Sequence, residues 1–154
     1  MKLELKHLAP YLPYGLQVEY RGKVTTLDAL DSTGGAFVGE NRMVSFVNQR
    51  HIKPALRPIS SMSKKEAYEF GVLLTSEADM EDKEVGIGKM VIMGSIYPTL
   101  MYQDKEDEDY SIMIRFGSTG ISGVYLIPYD AYEWLFNHHF DVFGLINKGL
   151  AIKK

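Results

Sequence analysis

A period-two run that meets a two-residue turn constrains this chain more than any other feature. Leu16, Val18 and Tyr20 alternate with Gln17 and Glu19; Arg21-Gly22 follow; Lys23-Val24-Thr25-Thr26-Leu27 continue with β-branched residues. Successive strand side chains point to opposite faces, and glycine supplies the positive φ that a two-residue loop requires, so the pattern reads as a β-hairpin. Its register sets Leu16 opposite Leu27 and Val18 opposite Thr25, which allows one face to be buried. Residues 36–38 and 43–47 bracket Gly39-Glu40-Asn41-Arg42 and suggest a second antiparallel pair. The N-terminal part is therefore expected to be a small antiparallel sheet.

The rest of the chain changes period. Residues 53–61 contain Pro54 and Pro58 and read as an extended connector, because proline pushes its predecessor out of the helical region. Ser63 and Glu66 have the form of a capping box, and Ala67, Phe70, Gly71 and Leu74 follow at helical spacing. This helix is expected to fade in the acidic run 77–84. Residues 89–97 are an apolar run that fits a strand or a helix equally. The acidic run 104–109 reads as a loop. Ile112, Ile114 and Phe116 alternate, Gly117-Ser118-Thr119-Gly120 turn, and residues 121–127 return, giving another hairpin.

Pro128 then opens a helix at its favoured first position. Tyr132, Leu135, Phe136, His139, Phe140 and Phe143 fall on one stripe of it, with Asp130, Glu133, Asn137 and Asp141 on the other side. The expected fold class is α+β: the antiparallel N-terminal part, a helix, an antiparallel hairpin and a C-terminal amphipathic helix. Residues 1–154 fit a single domain, with possible sub-parts at 1–52, β-rich and basic, and 62–154, α+β and acidic.

Charge is divided along the chain. Residues 1–65 carry ten Lys/Arg against five Asp/Glu, a formal +5; residues 66–154 carry seven against fifteen, a formal −8. Such a split fits two solvated faces, or a basic contact for nucleic acid or protein. The absence of cysteine excludes disulfides, thiol nucleophiles and zinc–thiolate sites. No run reads as a signal peptide or membrane span, so a cytoplasmic location is expected, with no membrane partner.

The candidate chemical motifs dissolve on inspection. His138 and His139 are adjacent, so an unbroken helix aims them about 100° apart, and one ion needs ligands three or four positions apart. Gly86-Ile87-Gly88-Lys89 lacks the first glycine and the Ser/Thr of a phosphate loop, since Lys83 and Met90 stand there. Gly117, Gly120 and Gly123 lie between strand-like runs. The acidic runs 77–84 and 104–109 lack the spaced ligands and fixed glycine of a calcium loop. No GxSxG signature is present. No catalytic residue, metal site or cofactor is expected.

Two binding candidates stand out. Arg42, Arg50, Lys53 and Arg57, with His51, form a basic stretch suited to phosphates, although the whole-chain pI is about 5.8. Trp134, the single tryptophan, falls about 160° from the apolar stripe of its helix on a 100° projection. Either the N-terminal hairpin or the 53–61 connector covers it, or it is exposed and anchors a partner.

Three segments carry a resemblance. Residues 6–16, KHLAPYLPYGL, the Leu56-Arg57-Pro58-Ile59-Ser60 segment, and residues 139–152, from His139-Phe140-Asp141 through Gly149-Leu150-Ala151-Ile152, resemble small proteins of phages and prophages of gut Bacteroidetes. The resemblance implies a phage-derived accessory protein in a bacterial host cytoplasm, and it carries over no catalytic or binding residue. The leading expectation is a protein without catalysis that binds a host or phage protein. The second is a nucleic-acid-associated accessory protein using the basic N-terminal part; an enzyme comes third.

Overall fold

The computed structural model describes residues 2–39, 42–46, 51–81, 83–92, 95–105, 110–117, 120–123 and 127–154. In chain order the elements are α1 (Leu5–Leu8), a 3₁₀ turn (Ala9–Tyr14), β1 (Gln17–Tyr20), β2 (Lys23–Leu30), β3 (Gly35–Val38), β4 (Arg42–Phe46) and β5 (Ile52–Leu56). A 3₁₀ turn (Ile59–Ser61), α2 (Lys64–Leu74), α3 (Glu77–Met80), β6 (Lys83–Ile92), β7 (Ser95–Asp104), β8 (Tyr110–Gly117) and β9 (Gly120–Gly123) follow. Then come α4 (Tyr129–Asn137), a 3₁₀ turn (Ile146–Lys148) and β10 (Ile152–Lys153). The fold is α+β. Two compact units are built: residues 1–57, 136–141 and 145–154 form one, and 58–135 with 142–144 form the other.

The first unit is organised by the N-terminal hairpin. Val18 pairs with Thr25, and the Leu27 N–H donates to the Leu16 carbonyl at 2.8 Å, the register set by alternation. Arg21 and Gly22 both take positive φ, 52° and 76°, the backbone of a two-residue turn whose twist matches its strands. The sheet order is β10-β5-β1-β2-β3-β4. It is antiparallel except for β10, which joins β5 in parallel.

Residues 53–56 are thus not a connector. They lie in β5, an interior strand whose Pro54, Ala55 and Leu56 are buried. Leu8, Tyr11, Leu16, Val18, Leu27, Ile52 and Leu56 fill this core, each no more than 1% exposed.

The second unit holds a four-stranded antiparallel sheet, β6-β7-β8-β9. The ambiguous run 89–97 falls in β6 and β7, with residues 93 and 94 outside the described set; β6 pairs with β7 from Lys83↔Asp104 to Ile92↔Ser95. The expected hairpin forms between β8 and β9, closing at Gly117↔Gly120, and Ile114 and Phe116 are buried. Most of the acidic run 104–109 lies outside the described residues.

Helix α2 starts where its cap dictates. The Ser63 hydroxyl accepts the Glu66 N–H, and the Glu66 carboxylate accepts the Ser63 N–H at 2.8 Å. Ala67, Phe70 and Gly71 form its buried face. The Tyr102 hydroxyl of β7 donates to the Ala67 carbonyl at 2.9 Å, and Phe70 packs against Phe116 with centroids 6.3 Å apart. Gly71 is needed by space: a Cβ there would lie 2.6 Å from Met80 Cε and 2.7 Å from Tyr102 Cε1. The acidic run beginning at 77 does not simply fade. Ser76 caps a further turn, α3, by accepting the Asp79 N–H.

The C-terminal helix is shorter than its apolar stripe implies. It ends at Asn137, and His139 enters the left-handed region with φ 56°. The chain then turns to pair with the end of β5. Arg57 N–H donates to the His139 carbonyl and Asp141 N–H to the Arg57 carbonyl, both at 2.8 Å. The Tyr11 hydroxyl donates to the Phe140 carbonyl at 2.6 Å. Asp141, placed on the polar side by the projection, is 6% exposed. Its two carboxylate oxygens accept the N–H groups of Leu145 and Ile146 at 2.8 and 2.9 Å, which satisfies a buried charge and starts the next turn. No helix among the described residues is long and apolar enough to cross a membrane.

Candidate functional site

A helix offers two flanks beside its buried face, and α2 uses one of them. Tyr68 and Val72 are four positions apart, as are Glu69 and Leu73, so each pair stacks along one side of α2. All four are half-buried. Together with Glu77 of α3 and Trp134 of α4 they line an open groove of about 360 Å³ in the second unit.

Trp134 owes its place to the early end of α4. With the helix stopped at Asn137, its buried direction is set by Ala131 and Leu135. Trp134 then lies about 80° from the centre of that direction at 100° per residue, on the flank rather than the far side. It is half-buried, and its ring packs on Phe70 with centroids 5.8 Å apart. Phe70 in turn meets Phe116, so three aromatic rings in sequence back the groove against the sheet. A helix of its own unit, α2, covers Trp134 on one side.

The groove is apolar at its floor and acidic at its rim. Glu69 is within 3.7 Å of Lys65, an exposed (i, i+4) pair that holds it only weakly. Glu77 is exposed. Nothing in the lining supplies a nucleophile with an adjacent base. Among the described residues no group of three or more His, Cys, Asp or Glu gathers to hold a metal ion. The lining suits recognition of an apolar side chain with positive charge near it.

The basic candidates are placed otherwise. Arg42 pairs its backbone with Val38 at the start of β4, and Arg50 lies outside the described residues. Lys53 sits opposite Glu19 across the β1–β5 pair. The Arg57 guanidinium lies 4.3 Å from the centroid of the Phe140 ring, a cation–π contact inside the first unit. Arg57 therefore has a structural role at the point where 139–141 meets β5. His138 and His139 are both beyond the helix; His138 stacks on Phe140, with centroids 6.4 Å apart.

Sequence reasoning found Trp134 but missed Tyr68, Glu69, Val72, Leu73 and Glu77. The available signal was the pair of four-residue spacings, 68/72 and 69/73, running beside the buried stripe. Compared with known proteins, the chain matches no family model, no curated protein and no solved structure.

Proposed function

We propose that this is a non-catalytic, phage-derived accessory protein of the bacterial cytoplasm that binds another protein through the groove at Trp134. The observation that carries the reading is Trp134 itself, half-exposed yet fixed from behind by Phe70 in a wall of Tyr68, Val72 and Leu73. A rigid, partly exposed aromatic ring is the usual form of an interface anchor. The groove's volume suits one or two large side chains rather than an enclosed small molecule. Its acidic rim, Glu69 and Glu77, selects a partner segment in which a Leu, Met or Phe anchor is flanked by Lys or Arg. This is a reading of a binding surface, and it assigns no reaction.

The experiment uses Trp134 as its own reporter, since no other tryptophan contributes emission. Synthetic peptides with a Leu or Phe anchor between lysines are titrated in low salt, beside peptides with glutamate in place of lysine. The cationic set should shift Trp134 emission to the blue and the acidic set should not. Val72→Glu should abolish the shift while leaving the fold intact, as Val72 is only half-buried. Absence of any shift with the cationic set, or a shift that survives Val72→Glu, would refute the proposal.

A further inference from the structure

Among the described residues, His139 Nε2 is the only buried side-chain nitrogen or oxygen with no hydrogen-bond partner. The same residue holds a left-handed backbone, φ 56°, which a β-carbon disfavours. The imidazole donates to the Tyr14 backbone carbonyl, which fixes its proton on Nδ1 and leaves Nε2 as a bare lone pair. Orphaned polar atoms and positive φ are each uncommon in a folded chain, and here they coincide.

The surroundings decide what a second proton on this ring would meet. Lys154 approaches from the segment after β10, Arg57 from the end of β5, and His138 from the adjoining position. From the last turn of α4, the Phe136 carbonyl accepts the His139 N–H at 3.0 Å. Asp141 turns its carboxylate to the Leu145 and Ile146 N–H groups instead. An imidazolium at this point would sit among cations, with its new N–H buried and unmatched. Burial, foremost, and these cations hold the ring's pKa below its ordinary value of 6.5.

We propose that His139 is an acid-released latch, whose neutral imidazole keeps residues 139–141 docked on the end of β5 and whose protonated form lets them go. The proton comes from solvent to Nε2 as the ring swings out. Release relieves the left-handed backbone, and the two hydrogen bonds that clip this segment to Arg57 are lost together. Undocking also takes Phe140 from beneath the Arg57 guanidinium. The latch does not depend on the groove at Trp134 or on what binds there.

The test follows the whole protein by NMR between pH 7.5 and 5.0. It records the titration of each imidazole and the exchange protection of the Arg57 and Asp141 amides, corrected for intrinsic rates. His139 should titrate below 6.5, and both amides should lose protection in step with it. The open fraction should rise about tenfold for each pH unit by which the docked pKa lies below the free one. His7→Gln, which removes the other imidazole held neutral by burial, should leave this behaviour in place, because the clip to Arg57 does not use His7. His139→Asn, which tolerates a left-handed backbone, should make the protection of both amides independent of pH. A His139 pKa at or above 6.5, or acid loss that persists in His139→Asn, would overturn the proposal. Should the variant fold poorly, the wild-type titration decides alone.

Discussion

At the scale of single residues, close approach and buried polarity fix the most sensitive positions. Gly71 faces Met80 and Tyr102, both fully buried, so neither neighbour has free space to yield. Gly71→Ala should therefore cost about 1–3 kcal/mol by overpacking, read as a lower urea midpoint with an unchanged slope. Helix propensity alone would favour alanine by about 1 kcal/mol, so a stabilised variant would show that Met80 gives way. Asp141 offers a second case. Its carboxylate satisfies two N–H groups in a largely buried turn, and Asp141→Ala should cost about 1–3 kcal/mol by leaving them unmatched. Nothing in the residue pattern foretells this, because a helical projection assigns Asp141 to the polar side. Periodicity registers polarity and position; it does not register that the helix has already ended.

At the scale of elements, local signals proved legible wherever local chemistry sets the geometry. The first hairpin follows from alternation plus Arg21-Gly22, down to the opposition of Val18 and Thr25. Helix α2 begins where Ser63 and Glu66 reciprocate. Ser63→Ala should lower stability by about 1 kcal/mol, seen in thermal unfolding, since it frees the Glu66 N–H. Elements fixed by distant partners were not legible. Residues 53–61, with Pro54 and Pro58, read as an extended connector, yet 53–56 are a strand flanked by β1 and β10 in the sheet. The apolar stripe of α4 runs on to Phe143, yet the helix stops at Asn137 because Phe140 has a bridge to make with Arg57. The groove was half legible for the same reason: Trp134 is conspicuous by type, but the flank of α2 that lines it resembles an ordinary helix surface.

At the scale of the molecule, acid is the expected weakness. His7 is 1% exposed, and its Nδ1 accepts the Glu4 N–H at 3.0 Å, so burial holds it neutral against the opposing pull of Glu4. His139 is held neutral by burial and by Lys154. Both folded pKa values lie below 6.5, so the unfolded chain takes up protons that the folded one refuses. Stability should be full above about pH 6.5 and should decline as the pH falls through the folded values. Urea midpoints measured from pH 7.5 to 5.0 should show this fall, and His7→Gln with His139→Asn should flatten it. A midpoint constant over that range in the parent protein would mean the imidazoles are not held neutral.

The parallel strand β10 has a consequence for the order in which the protein is made. Every strand of the four-stranded sheet lies between residues 83 and 123, so that sheet can close while later residues are still being translated. The six-stranded sheet begins with residues translated long before, but one of its two edge strands is residues 152–153, laid against β5. Until the ribosome releases that stretch, β5 presents an open edge beside the buried Pro54, Ala55 and Leu56. Strand β5 thus waits for about a hundred later residues before that edge is covered.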